Sequence, residues 1–230
     1  MSKGKLEKFE ELRTFGNCIE IPDAYLIDEH PLKGKWAKEF FKNSNPIVLE
    51  LGCGKGEYSV NQAKAFPHKN FIGVDIKGNR LWKGAKMTKE ENLKNVGFVR
   101  TRIDHISKVF GKDEISDIWI TFPDPQPQQS REKKRLTSLN FLEKYKPFLK
   151  RGGTIHLKTD NFPLYEYTLQ VIEGNEFKLL DSTDNLYDDL SKNPEKFTVG
   201  TATLGIKTFY ERRFLEEGKN ICYLRFQISS

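Results

Sequence analysis

The chain has 230 residues, of which 37% are hydrophobic and 12% aromatic, and its net charge is +6. This length and composition suit one sizeable α/β domain with a terminal extension and argue against a disordered chain. No apolar run approaches the ~20 residues that span a bilayer, and the charged first residues are unlike a secretory signal. We therefore expect a cytoplasmic protein with no membrane partner, and the positive charge favours an anionic partner such as nucleic acid.

The cysteines and histidines show no spacing typical of metal ligands. The three cysteines are far apart in the chain, so a reducing compartment with inert thiols is expected. Cys53 is interpreted as a small packing residue and not as a nucleophile. The sequence predicts no metal site.

The first predicted element is an amphipathic helix in which Leu32, Trp36 and Phe40 recur at four-residue intervals. Asparagine and proline residues end it. We therefore divide the chain into an N-terminal extension with one helix, residues 1–45, and a main domain, residues 46–230.

Five predicted strands alternate with helical segments through the middle of the chain. Each strand is a short apolar run that ends at a turn or at a polar residue. The five runs cover residues 47–51, 70–75, 96–103, 115–122 and 154–158. Strands that alternate with helices favour a parallel sheet with helices on both faces.

The end of the chain has a different pattern. A helix is predicted over residues 131–149, and Pro163 lies near the start of another, where proline is tolerated. Two more strands, 177–180 and 221–228, are separated by a polar stretch and by a helix near 208–217.

The first of the five strands runs into the segment ELGCGKG, from Glu50 to Gly56. Glycines at alternate positions make a tight turn with little side-chain bulk, so a ligand can approach the backbone and the start of the next helix. The spacing differs from the G-x-G-x-x-G of dinucleotide-binding dehydrogenases. It resembles the first motif of Rossmann-like methyltransferases that use S-adenosylmethionine, although an ordinary turn explains a glycine loop alone equally well.

An acidic residue stands at or just after the carboxyl end of each of the five strands. In an open parallel sheet these ends lie side by side, and ligands bind in the crevice outside them. Helix capping is the alternative for any single acid. We interpret the set as one shared polar site. Its members are Glu50, Asp75, Asp104, Asp124 and Asp160.

The positions of these acids favour particular roles. Asp75 suits a ribose whose two hydroxyls donate to one carboxylate, and Asp104 is placed to meet an adenine. Glu50 lies where the cationic part of S-adenosylmethionine would sit, and its charge opposes neither the sulfonium nor the ammonium. A dinucleotide pyrophosphate would be repelled there, which favours the methyl donor over NAD.

The fourth strand leads into TFPDPQPQQSREKKRL. Its prolines restrict the backbone and are expected to hold Asp124 in a stiff loop over the crevice. The basic residues that follow, from Arg131 to Arg135, suit binding of nucleic acid, although a solvated helix face is the alternative.

Together these motifs resemble the bacterial tRNA (guanine-N7)-methyltransferase family. The similarity runs from about Lys5 to Phe226 and rests on ELGCGKG, FIGVDIKGNRLWKGAK, FPDP, GGTIHLKTDN and TFYERRFLEEG, in that order. It implies an α/β, Rossmann-like methyltransferase fold with a mostly parallel seven-stranded sheet, helices on both faces and an antiparallel last strand. It also implies methyl transfer from S-adenosylmethionine, with S-adenosylhomocysteine as product, to N7 of a guanosine in the tRNA variable loop. The partner would be tRNA, and no obligate protein partner is inferred.

The same resemblance implies roles for individual residues, with Asp124 as the catalytic residue. The residues that would bind the donor are Glu50, Gly52, Gly54, Asp75, Asp104 and Asp124. The residues that would bind the substrate are Gln128, Asp160, Thr208, Phe209, Tyr210 and Glu211. Thr208 and Glu211 also have the spacing of a capping box, with Gly218 placed to end that helix.

The chain departs from the family where the pattern typically reads PDPWPKKRH. Gln126 replaces tryptophan, and Gln128 and Gln129 replace basic residues. This departure keeps two alternatives open, which are a non-catalytic RNA-binding module with a donor-binding fold and a methyltransferase of this fold that acts on another substrate.

Overall fold

The computed structural model describes residues 4–21 and 29–228. Residues 1–3, 22–28, 229 and 230, which fall within the two predicted domains, lie outside the described residues. Within the described residues, eight strands form one sheet. They are β1 (Cys18–Glu20), β2 (Ile47–Leu51), β3 (Asn70–Asp75), β4 (Val96–Arg100), β5 (Ile115–Thr121), β6 (Leu149–Thr159), β7 (Lys178–Thr183) and β8 (Cys222–Gln227).

Helices surround this sheet. The α-helices are α1 (Lys5–Arg13), α2 (Glu57–Ala65), α3 (Gly78–Glu90), α4 (Leu139–Tyr145), α5 (Phe162–Gly174), α6 (Leu186–Lys192), α7 (Thr201–Leu204) and α8 (Phe209–Glu216). A π-helix covers Trp36–Phe41, and short 3-10 helices cover Ile103–Lys108, Gln129–Lys134 and Pro194–Lys196. Among the described residues, none of these helices has both the length and the apolar character needed to cross a bilayer.

The sheet order is β1-β4-β3-β2-β5-β6-β8-β7, and the first six strands in this order run parallel. β8 lies antiparallel to both β6 and β7. The predicted fold class is therefore confirmed, including the antiparallel last strand. The sheet also contains β1, an eighth strand that the sequence did not predict because three residues are too short to show a periodic pattern.

Two apolar layers explain why the central strands read as continuous hydrophobic runs. All residues of β2 and β3 are buried, as expected where helices cover both faces of a parallel sheet. One layer packs the sheet against α4 and α5 through residues such as Leu142 and Leu164. The other packs it against α2 and α3 through residues such as Val60 and Leu81.

Several predicted elements differ from the structure, among them the strand predicted over 154–158, which is β6 and covers Leu149–Thr159. The predicted helix over 131–149 is wrong as one element, because Arg135 adopts an extended conformation (ψ 131°) between the 3-10 helix and α4. The third strand ends at Arg100 and not at Ile103, where the next 3-10 helix begins. The segment around Trp36 forms a π-helix that ends at Phe41 and is followed by Lys42, which has a positive φ of 57°.

Candidate active site

The glycine loop after β2 adopts a backbone that only glycine accommodates easily. Gly52, Gly54 and Gly56 have φ values of 75°, 56° and 71°, in the left-handed region. A Cβ atom on Gly56 would lie 2.4 Å from the Phe98 ring. The third glycine is therefore needed for close packing of α2 on the sheet. A Cβ on Gly52 would only be in ordinary contact with Leu136, at 3.8 Å, and Gly54 has open space beside it.

Asp75, at the end of β3, fixes two backbone segments. One carboxylate oxygen accepts a hydrogen bond from the Gly54 amide at 2.9 Å, and the other accepts from the Lys77 amide at 2.7 Å. These bonds connect the strand end to the glycine loop and to the start of α3. Each carboxylate oxygen has a second lone pair, so Asp75 can still accept from ligand hydroxyls.

Glu50 is buried at the end of β2 and is held from two sides. Its carboxylate accepts from the Ser59 amide at 3.0 Å and from the Thr121 hydroxyl at 2.6 Å. Ser59 lies in the first turn of α2, so Glu50 ties that helix to the end of β5. Burial raises the pKa of Glu50 from 4.5 to about 7. A nearby cation would favour the ionised form.

Two cavities open where these strands end, and Gly52 lies in the wall of both. The Glu50 cavity has a volume of about 340 Å³, and the Asp75 cavity has a volume of about 400 Å³. The walls of the Glu50 cavity include Glu50, Gly52, Thr121, Phe122, Thr208 and Tyr210. The walls of the Asp75 cavity include Gly52, Asp75, Ile76, Thr101, Asp104 and Phe141.

Cys53 is a further residue in the wall of the Glu50 cavity. It is buried, and burial raises the pKa of its thiol well above the usual range. The thiol is therefore neutral and poorly nucleophilic at physiological pH. This agrees with the packing role expected from the sequence.

The exit of β5 has a strained backbone. Phe122 has a positive φ of 48°, which costs about 1–3 kcal/mol for a residue other than glycine. Its amide donates to the Lys158 carbonyl at 2.8 Å, and its ring lies 5.7 Å from the ring of Phe214 on α8. Asp124 follows on the surface and accepts from the Gln126 amide at 3.1 Å.

Gln126, where the chain departs from the family pattern, also has a positive φ of 45°. Its carbonyl accepts from the Arg135 guanidinium at 3.3 Å. That guanidinium lies 4.2 Å from the centre of the Tyr167 ring. These contacts of Arg135 fix the position of the loop at Gln126. Gln128, two residues further along the chain, is exposed.

The predicted capping box at the start of α8 is confirmed. The Thr208 hydroxyl accepts from the Glu211 amide, and the Glu211 carboxylate accepts from the Thr208 amide, both at 3.1 Å. Gly218, with φ 74°, follows the end of the helix. The Glu211 side chain is fully buried, and its carboxylate lies 2.6 Å from the Lys158 ammonium. Burial lowers the pKa of Lys158, and Glu211 opposes that shift.

Two exposed aromatic side chains stand beside the Glu50 cavity. Phe209 is 46% exposed and Tyr210 is 43% exposed. The Lys55 ammonium lies 4.9 Å and 5.6 Å from their ring centres. The Phe209 amide donates to Glu57 at 2.7 Å, which connects the start of α8 to the start of α2. Such an exposed aromatic and cationic cluster can stack on a planar base.

The structure brings together most of the predicted donor residues and only some of the predicted substrate residues. Those in the cavity walls are Glu50, Gly52, Gly54, Asp75, Asp104, Thr208 and Tyr210. Those outside both walls are Asp124, Gln128, Asp160, Phe209 and Glu211. Asp160 lies one strand beyond Asp124 and pairs with Lys219 at 3.5 Å.

Sequence reasoning missed several residues that build the site. Thr121 and Phe122 end an apolar strand, and nothing in their pattern shows that they line a cavity. Lys158 carried one signal, because a lysine within the apolar run TIHLK is expected to need a buried partner. The identity of that partner depends on the tertiary fold.

Comparison with known proteins places the chain in a family. A family model described as a putative methyltransferase matches residues 44–224. A tRNA (guanine-N(7)-)-methyltransferase of Christiangramia forsetii is 50% identical over 228 residues, which cover 99% of each chain. This chain belongs to the tRNA (guanine-N7)-methyltransferase family. A further member, from Bacteroides fragilis, is 47% identical over 98% of this chain and 86% of its own.

The solved structures that resemble this tRNA (guanine-N7)-methyltransferase family member are more distant from it in sequence. The 16S rRNA methyltransferase KamB superposes with a TM-score of 0.61 at 14% identity, over 91% of this chain and 95% of its own. A 16S rRNA (adenine(1408)-N(1))-methyltransferase from Catenulisporales acidiphilia, solved with its cosubstrate SAM, gives a TM-score of 0.55 at 14% identity, over 85% and 91% of the two chains. At this identity the similarity concerns the fold alone, and it agrees with a Rossmann-like methyltransferase.

Proposed function

We propose that this protein transfers a methyl group from S-adenosylmethionine to N7 of a guanosine in the variable loop of tRNA. Its relatives named for this activity are similar over nearly the whole chain, and the best of those given above is 50% identical. The observation in the structure that supports the proposal most directly is the pair of adjacent acidic cavities that share Gly52.

The chemistry of the two cavities fits the donor. When bound, S-adenosylmethionine supplies an electrophilic methyl group on a sulfonium. Asp75 retains free lone pairs that can accept from the two ribose hydroxyls, and Asp104 lies in the same wall. Glu50, in the neighbouring cavity, presents a carboxylate to the positive end of the donor and would repel a pyrophosphate.

The chain needs no strong base for this reaction. Guanine N7 already carries a free lone pair, so the main task of the protein is to align that atom with the methyl carbon. We assign this task to Asp124. Phe122 lies in the wall of the Glu50 cavity, and Asp124 follows it by two residues and is exposed. Its carboxylate can accept from N1–H and the amino group of guanine, and it can stabilise the positive charge that develops on the base.

The surface around the cavities suits an RNA substrate. Phe209 and Tyr210 offer exposed rings for stacking, and Arg131, Lys133 and Lys134 are exposed in the segment that follows the Asp124 loop. These cations would supply affinity that is independent of sequence and falls with salt. A base inside the folded tRNA must also be displaced from its stack before it can reach the cavity.

The test is methyl transfer to tRNA from a strain that lacks this modification. Radiolabelled S-adenosylmethionine measures the transfer, and cleavage at N7-methylguanosine by borohydride and aniline maps the nucleotide. The proposal expects one labelled guanosine in the variable loop. Binding of tRNA without transfer would instead support the non-catalytic module, and transfer to another atom or substrate would support a different methyltransferase.

A further inference from the structure

Lys158 is an unusual residue in this fold because a charged side chain projects from a central strand and is fully buried. Its ammonium lies 2.6 Å from the Glu211 carboxylate and donates to the carbonyls of Leu204 and Ile206, each at 3.2 Å. A longer contact, at 3.4 Å, joins the ammonium to the Tyr187 hydroxyl, so its three donors face four polar neighbours. The side chain therefore binds α7, the following turn and α8 at one point.

Glu211 holds the start of α8, which forms part of the wall of the Glu50 cavity. The Glu211 carboxylate also accepts from the Thr208 amide at 3.1 Å and from the Tyr187 hydroxyl at 2.5 Å. Thr208 and Tyr210, in the first turn of α8, both line the cavity. The buried pair therefore fixes the position of the part of the wall that α8 contributes.

The backbone of Lys158 holds a second part of the wall of the same cavity, the exit of β5. Its carbonyl accepts from the Phe122 amide at 2.8 Å, at the point where the backbone of β5 takes its positive φ. Phe122 lines the cavity, and the chain continues through Pro123 to Asp124. One residue thus holds both the strand exit that carries Asp124 and, through Glu211, the helix start that carries Thr208.

We propose that Lys158 and Glu211 are positioning residues that fix the exit of β5 and the start of α8 relative to each other in the wall of the Glu50 cavity, and that Glu211 acts in this way and not as a substrate ligand. This inference rests on the proposed function, because kcat and KM are measured on the methyl transfer to tRNA. Donor binding supplies a second readout that does not depend on the substrate.

Stability alone is a weak reason for such a pair. Removing one partner of a buried ion pair leaves an uncompensated charge, but replacing both partners by apolar residues of similar size is often neutral or stabilising. A double substitution, Lys158→Met with Glu211→Leu, therefore separates folding from positioning. The Asp181–Arg225 pair, which joins β7 to β8 at 2.6 Å and lies in neither cavity wall, provides a matched control through Asp181→Leu with Arg225→Met.

The experiment measures Tm, affinity for S-adenosylhomocysteine by calorimetry, and kcat and KM for tRNA in both double variants. We expect the Lys158/Glu211 variant to fold with a lowered Tm, because the carbonyls of Leu204 and Ile206 and the Tyr187 hydroxyl lose their partners, and all other quantities are measured well below that Tm. We expect its kcat to fall about tenfold or more, because small misplacements of catalytic groups cost this much, and its S-adenosylhomocysteine affinity to fall about threefold or more. The Asp181/Arg225 variant should keep wild-type values for all three binding and kinetic quantities.

Several results would overturn the proposal. Wild-type kcat and S-adenosylhomocysteine affinity in a folded Lys158/Glu211 variant would do so, and so would equal losses in the control variant. Should the double variant not fold, Glu211→Gln keeps the capping acceptor and removes the charge, and the same losses are expected. An effect of Glu211→Gln on KM for tRNA alone would show direct substrate contact instead. If the wild type does not methylate tRNA, the proposed function fails, while the affinity measurement still tests the positioning role.

Discussion

The Asp75 carboxylate accepts a hydrogen bond from the Gly54 amide at 2.9 Å, which ties the end of β3 to the glycine loop that follows β2. Its second oxygen is bonded to the Lys77 amide. The acid that is expected to hold the ribose therefore also shapes the loop that the donor must approach. Ligand affinity and loop geometry depend on the same side chain.

The first prediction concerns this carboxylate. Asp75→Asn should lower the affinity for S-adenosylhomocysteine by about tenfold or more, because charge-assisted hydrogen bonds to the ribose contribute about 1.5–3 kcal/mol each. The new amide nitrogen would also face the Gly54 or Lys77 N–H. Isothermal calorimetry measures the loss, and Asp188→Asn, on the exposed face of α6, is the control. Unchanged affinity in Asp75→Asn would contradict the assignment.

The second prediction follows from the burial of Glu50, whose pKa is raised to about 7. Near pH ~6 the free protein holds a proton on this carboxyl, and a bound cation favours its ionised form. Binding of S-adenosylmethionine should therefore release a proton, and its affinity should rise as the pH increases towards ~8. Calorimetry in buffers of different ionisation enthalpy measures the proton, and Glu50→Gln should abolish its release.

The same shift affects stability. The Glu50 carboxyl titrates at 4.5 when exposed and at about 7 in the folded chain, so the folded state binds more protons in this interval. The contribution of Glu50 to the free energy of unfolding is therefore fully present below pH 4.5 and is lost as the pH rises through about 7. A Tm profile that is no steeper in wild type than in Glu50→Gln across this window would argue against the shift.

The third prediction tests Asp124. Asp124→Asn should lower the rate of methyl transfer at least about tenfold, because alignment of the base is the main catalytic task. Donor affinity should stay within a few-fold, since Asp124 lies outside both cavity walls. Single-turnover transfer and calorimetry separate the two effects. Wild-type turnover would remove Asp124 from the mechanism, and a large loss of donor affinity would make it a donor ligand.

The fourth prediction compares two glycines next to helices. Gly56 precedes α2 and Gly218 follows α8, with φ values of 71° and 74°, so alanine at either position is strained. Only at Gly56 would the added Cβ also meet the Phe98 ring, at 2.4 Å. Gly218→Ala should cost about 1 kcal/mol, and Gly56→Ala should cost several times more. Urea denaturation measures both, and equal costs would show that the Phe98 contact is relieved without penalty.

The fifth prediction concerns the basic cluster after the Asp124 loop. The double substitution Arg131→Gln with Lys133→Gln should weaken tRNA binding and reduce the slope of log affinity against log salt by about 1–2. Both side chains are exposed and lie outside the cavity walls, so donor affinity should not change. Lys146→Gln, on a different part of the surface, is the control. An unaltered salt slope would place the tRNA elsewhere.

Local patterns were sufficient for much of the fold. Apolar runs predicted β2 and β3 with the limits that the structure shows. These strands are buried on both faces, so each is one continuous apolar run with clear ends. The same reasoning joined residues 131–149 into one helix. The extended Arg135 contacts the Gln126 carbonyl and the ring of Tyr167, and the second of these residues is distant in sequence.

The sequence by itself determined that acids follow strand ends and that glycines form the loop between them, since both are local consequences of strand and turn chemistry. It therefore located Glu50 and Asp75. Only the tertiary structure decided that Glu211 faces Lys158 inside the fold, and that Phe122 packs on Phe214 to complete the cavity. These contacts join residues of β5, β6 and α8, and a buried charge selects its partner through three-dimensional packing that no local pattern specifies.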